Sequence, residues 1–368
     1  MTNPYIGKPD YQFWRRGGGH NNPEAFDPVT HASFTVQQSA PVVTAGSCFA
    51  QHLARHLTAN GFNVLVTEKA HPVIPDKYAA DFHYGMFAAR YGNIYTARQL
   101  RQLLERSYGL FEPRQRAWKL GADRWVDPFR PQIQPGGYIS LRELRLDQEV
   151  HFEAVRAAIE QMEVFVFTLG LTEAWVDRMD GAVYPLAPGV AGGEYDPSEV
   201  MFVNFSARKT MEDLEWSLNF IRRQNPTVRC ILTVSPVPLN ATAVDRHVWV
   251  STTYSKAALR VAAEDIANSF RNVDYFPSYE IIMSPHAGGA YFEADRRSIN
   301  EAGVEHVMRT FFRHYGGLEY AKSAPPEVAR SAALQSSNEA REASRRETED
   351  MGRIVQVLCD EEAIDNVE

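Results

Sequence analysis

The chain has 368 residues, 44% of them hydrophobic and 11% aromatic, which is enough to bury a sizeable core. A formal net charge of −8 argues against a general phosphate-binding surface and leaves only local basic patches, such as the one around Arg296 and Arg297. Three widely spaced cysteines, Cys48, Cys230 and Cys359, spell neither a disulfide framework nor a zinc site.

The N-terminus has no charged start followed by an apolar run, as a secretory signal would. No window approaches the roughly 18 apolar residues needed to span a bilayer. A cytoplasmic protein is the expectation. Residues 1–39 are polar and turn-rich and read as an arm laid over the surface. The glycines after Arg15 and Arg16 lack the Lys and Ser/Thr of a phosphate loop, and no strand precedes them.

An α/β pattern then begins. Pro41–Ala45 is a short β-branched run, Gly46 turns the chain, and Cys48–Asn60 reads as a helix with Phe49, Leu53 and Leu57 on one stripe. Gly61 stands where a helix should end, and Phe62–Val66 reads as a second strand. Residues 67–150, rich in Tyr, Trp, Pro and Arg, break the alternation around one clear helix at Thr96–Ser107 and read as an insertion or cap.

Alternation resumes with Val164–Leu169, a continuous apolar run suited to a strand buried on both faces. A helix over Ser206–Gln224, a strand over Val228–Val234, a helix over Ser251–Phe270 and a strand near Val273–Phe276 follow. Asn300–His314 closes the core, with Val304, Val307, Met308, Phe311 and Phe312 inward. Such repeats imply a doubly wound parallel sheet with active loops at the strand carboxyl ends. The domain thus covers residues 40–320, with the insertion at about 67–150. A charged extension, 321–368, reads as helical or partly disordered, and Met351, Ile354, Val355 and Leu358 at helical spacing could dock on the domain or on a partner.

Chemistry is most legible at Gly46-Ser47, between a strand and a helix. A hydroxyl there is lifted to the sheet edge, where a helix N-terminus favours a developing oxyanion. A bare helix cap would use the same serine. The adjacent Cys48 could be a reactive thiol, but the turn puts it opposite Ser47, as a small core residue.

The string Gly46-Ser47-Cys48-Phe49-Ala50 resembles the name-giving motif of the GSCFA family, which looks like a distant branch of the SGNH, or GDSL, hydrolases. Tyr91-Gly92-Asn93-Ile94-Tyr95, Phe167–Trp175, Thr233–Pro238, Tyr254–Ala257 and Tyr275–Glu280 continue the resemblance in order over roughly residues 40–315. It implies a flavodoxin-like three-layer α/β/α sandwich carrying a serine esterase or O-acyltransferase that works on an acyl ester, carbohydrate-linked, through a Ser47 acyl-enzyme. By this resemblance Gly46 is the tight turn and the Ser47 N–H an oxyanion donor. Gly92 and Asn93 supply further donors. Gly170-Leu171-Thr172-Glu173 stands where the superfamily has Gly-x-Asn-Asp, with Thr172 replacing the asparagine and Glu173 a pocket residue. No metal and no organic cofactor is required, and no nucleic acid or membrane partner is expected.

The departure lies in Asp295-Arg296-Arg297-Ser298, where the superfamily's Asp-x-x-His base is replaced by a serine, which takes no proton at neutral pH. His286, in the loop Ser284–Gly289, is the first candidate base, oriented by Asp295. His306 is placed by helical spacing on a solvent face. His52, His56 and His71 remain, the first two spaced like metal ligands without an evident third. Lys256 could polarise or deprotonate a hydroxyl. The alternative is a catalytically impaired relative that binds a glycan or a partner protein through the same pocket.

Overall fold

The computed structural model describes residues 3–17, 23–317 and 359–366. In chain order its strands are β1 Val42–Gly46, β2 Trp118–Leu120, β3 Arg124–Val126, β4 Val164–Leu169, β5 Glu173–Asp177, β6 Val183–Tyr184, β7 Val200–Asn204, β8 Arg229–Val234 and β9 Val273–Phe276. The α-helices are α1 Phe49–Ala59, α2 Asp76–Asp81, α3 Ala97–Ser107, α4 Leu141–Gln161, α5 Ala207–Gln224, α6 Val248–Ser269, α7 Ser278–Met283 and α8 Glu301–Phe311.

The central sheet is parallel, in the order β1-β4-β8-β9. Strand alternation sends its side chains into two separate cores. Val43, Ala45, Phe165, Phe167, Cys230 and Leu232 pack with residues of α3, α4, α5 and α6. Val42, Val164, Val166, Ile231 and Phe276 pack with α1, α7 and α8. The result is a three-layer α/β/α sandwich with the strand carboxyl ends on one rim. Val304, Val307, Met308, Phe311 and Phe312 are buried as their spacing predicts.

Three segments differ from expectation. Phe62–Val66 contributes only the single bridge of Val64 to Val42, because its remaining backbone groups bond to loop residues such as Gln38. Helix α3 is no cap: it packs against α5 in the sandwich layer, and Arg98 on it reaches Asp213 of α5 at 2.7 Å. Helix α4 was hidden by polar residues on its inward stripe, Gln148 and His151, which interrupt the apolar period. His151 is satisfied by Glu68 at 2.8 Å. A second, antiparallel sheet, β6-β5-β7, leaves the sandwich directly after β4. The arm is fastened at several points, including Ser33 to Asp274 and the Val36 N–H to the Tyr315 carbonyl at 2.7 Å. The apolar stripe at 351–358 lies outside the described residues. Among the described residues, no helix is long and apolar enough to cross a membrane.

Candidate active site

At the end of β1 the Gly46 backbone turns with φ +132°, alongside Thr168 of β4. A β-carbon there would lie 2.2 Å from the Thr168 carbonyl oxygen, so only glycine fits. The next residue, Ser47, is 3% exposed, and its Oγ has no hydrogen-bond partner. A buried hydroxyl without a partner is unusual enough to mark the spot.

The wall around Ser47 comes from the other strand ends. The Ile94 N–H donates to the Gly46 carbonyl at 2.7 Å and draws the 91–96 loop against the turn. Asn93 on that loop is buried, and its Oδ1 accepts from Gln51 Nε2 of α1 at 2.9 Å. Gly170 follows β4, and a β-carbon on it would fall 2.9 Å from Ser47 Cβ. Lys256 of α6 is fully buried and donates to the Gly170 carbonyl at 2.7 Å. Burial lowers its pKa to about 8, against the opposing pull of Glu361. Thr172 is buried and committed elsewhere: its Oγ1 donates to Asn204 at 2.8 Å. Glu173 accepts from Thr242 at 2.8 Å, and burial raises its pKa. Gly92 holds φ +70° beside Arg130, which with Arg90, Glu68, Asp127 and Asp147 forms a buried ion network under the loop.

The structure does not assemble the Ser47–His286–Asp295 relay. Asp295 accepts from Ser298 Oγ at 2.6 Å and from the Arg297 and Ser298 N–H groups, closing its own turn. The ring of His286 stacks on Phe26 of the arm with centroids 4.9 Å apart. Among the described residues, no imidazole hydrogen-bonds Ser47 Oγ. His306 is not solvated as expected: the arm covers it, so that Tyr291 holds its Nδ1 and the Phe26 carbonyl meets its Nε2, each at 2.7 Å. His52 and His56 face Arg55 and Glu301, and no group of three or more potential ligands for a metal occurs among the described residues. One expected oxyanion donor is already committed: the Ser47 N–H donates to the Thr168 carbonyl at 3.0 Å. The neighbouring Gly170 N–H is taken as well, by the Tyr95 carbonyl at 3.0 Å.

What sequence reasoning missed is a further layer on the site, built by residues 359–366 against Cys48, Asn93 and Tyr95. Asp360 accepts from Asn93 Nδ2 at 2.8 Å, and its N–H donates to Tyr95 OH at 3.0 Å. Glu361 pairs with Arg297 at 2.8 Å and accepts from Asn240. The Cys359 and Cys48 thiols share a hydrogen bond, with the Arg297 guanidinium 3.7 Å from the Cys359 sulfur. That contact lowers the Cys359 pKa and raises that of Cys48.

A groove of about 1330 Å³ opens between α1 and the insertion, where Cys359, Glu362 and Ala363 form part of its wall; Ser47 does not line it.

A family model described as the GSCFA family matches residues 41–311. The chain belongs to the GSCFA family. The match runs from the start of β1 through α8 and so takes in every wall of the site except residues 359–366. A solved structure of a Clostridium thermocellum family 3 carbohydrate esterase is similar at 10% identity, covering 75% of this chain and 94% of its own, with a TM-score of 0.26. At that score the likeness bears on no chemical step. No curated protein matches the chain.

Proposed function

We propose that this GSCFA protein is a serine esterase or O-acyltransferase of the SGNH type, with Ser47 as nucleophile. The observation that carries the reading is the buried, unpartnered Ser47 Oγ on a glycine-only turn at the strand ends. Lys256 is a candidate base, because Gly170 lies against both residues: its carbonyl accepts from Lys256 Nζ, and a β-carbon on it would fall 2.9 Å from Ser47 Cβ. A lysine with a pKa of about 8 is partly neutral at physiological pH and can accept a hydroxyl proton.

In this mechanism neutral Lys256 takes the Ser47 proton while Oγ adds to the ester carbonyl. The Asn93 amide donates to the oxyanion. The lysine proton passes to the leaving alcohol as the acyl-enzyme forms. Water or a second hydroxyl then attacks and releases Ser47. A carbohydrate-linked O-acyl ester is the substrate class that the resemblance suggests.

The test is the rate of labelling by a fluorophosphonate probe, read by intact mass against pH. The wild type should label once, at a rate that rises with pH and levels above about 8, as Lys256 loses its proton. Ser47→Ala should abolish labelling, Lys256→Met should slow it by about 10²-fold or more, and His286→Ala should leave it unchanged. Dependence on His286 would reinstate the imidazole. A second reading, a binding protein without turnover, is favoured by the commitment of both the Ser47 and Gly170 N–H groups. It gains if the wild type never labels.

A further inference from the structure

Two carboxylates, Asp360 and Glu361, are buried against Ser47's surroundings at 4% and 5% exposure. Buried carboxylates are rare unless the site supplies donors or cations for them. Here it supplies both. Arg297 pairs with Glu361, Lys256 stands within electrostatic reach of it, and Asn240 donates to it. Asn93 and Tyr95 hold Asp360.

These partners come from the 91–96 loop, the segment after β8, α6 and the 295–298 turn, so the cationic wall belongs to the sandwich and not to the segment that occupies it. Arg297 is also the one arginine of the local basic patch that turns inward, and its Nε is buried with no acceptor. A guanidinium N–H left over after Glu361 has bound is an unused donor for an anion that replaces the turn.

We propose that the pocket formed by Asn93, Tyr95, Asn240, Lys256 and Arg297 is a carboxylate-binding site, and that the chain's own acidic turn at Asp360 and Glu361 fills it as an internal competitor of an acidic, carboxylate-bearing ester. The substrate half of this statement rests on the esterase reading; the docking half does not. Asp360 takes the same Asn93 N–H that the mechanism gives to the oxyanion, so the docked turn and a productive substrate exclude one another. The pocket then opens only when the turn leaves, and what displaces it must offer Arg297 an anion of its own.

The experiment uses the full chain carrying Asp360→Ala and Glu361→Ala. It should label with the fluorophosphonate at least about tenfold faster than wild type, and a fluorescein-tagged peptide of residues 359–366 should slow it again. The same peptide should bind this variant in fluorescence anisotropy, with affinity lost about tenfold or more when Arg297→Gln is added, while thermal unfolding confirms that the variants remain folded. Succinate should displace the peptide, and N-acetylglucosamine should not. If neither chain labels but the peptide binds through Arg297, the esterase reading falls and the docking stands. Equal or slower labelling of the double variant, peptide binding indifferent to Arg297, or displacement by the neutral sugar as readily as by succinate would each overturn the proposal.

Discussion

At Gly46 the close approach of β4 leaves less room than a methyl group needs. Gly46→Ala places a carbon 2.2 Å from the Thr168 oxygen at φ +132°, so the strand end must shift. Backbone strain and overpacking together should cost about 2–6 kcal/mol in urea denaturation. A loss below about 1 kcal/mol would mean that the turn is softer than its geometry suggests. The positive φ of this turn is a local feature, and so Gly46-Ser47 was readable from sequence, whereas the approach of Thr168 was not. Lys256 was only half readable: its place on a helix is local, but its burial depends on Gly170 and on a segment more than a hundred residues away. His306 was misplaced for the same reason, since helical spacing says nothing about an arm that returns to cover the face.

Among the elements, the segment 67–150 has the most to tell. It holds the 91–96 loop from beneath through a buried ion network, in which Arg90 donates to Asp147 at 3.0 Å and to the Ile133 carbonyl at 3.0 Å. Glu68 accepts from the Arg90 N–H at 2.7 Å and from His151 at 2.8 Å. Arg130 ties Asp127 to the Arg90 carbonyl. Removing one partner from such a network leaves buried charge uncompensated. Arg90→Met should therefore destabilise the protein by about 3–5 kcal/mol in chemical denaturation. It should also slow Ser47 labelling, because Asn93 loses its support; unchanged stability would refute the structural role. The strands and long helices of the sandwich were legible because apolar periodicity reports burial. Helix α4 and the β6-β5-β7 sheet were not, because their inward positions include polar groups satisfied by partners far along the chain. The same holds for Arg297, which composition could place only in a basic patch.

For the molecule as a whole, the docked acidic turn makes closure of the site depend on pH. Burial, helped by neighbouring Glu361, raises Asp360 to about 6 against the opposing bonds from Asn93 and Tyr95. A free Asp360 would titrate in the ordinary carboxylate range near 3.8. Between those values the docked turn keeps a proton that the free turn has lost. Docking is therefore strongest in acid and weakens as pH rises towards 6; burial raises Glu361 as well, in the same sense, and loss of the Lys256 proton near 8 weakens docking again. The 359–366 peptide should bind the double variant on the order of a hundredfold more weakly at pH 7 than at pH 4, and an Asp360→Asn peptide should lose most of that dependence. Affinity that rises with pH would contradict the assigned burial. The bond from Asn93 to Asp360 also has a temporal side, since it joins residues 267 positions apart. A ribosome adding about 5–20 residues per second finishes the sandwich well before residue 360 leaves the exit tunnel. Each newly made molecule thus passes through an interval in which Asn93 has not yet met Asp360, and the order of synthesis sets when that interval can end.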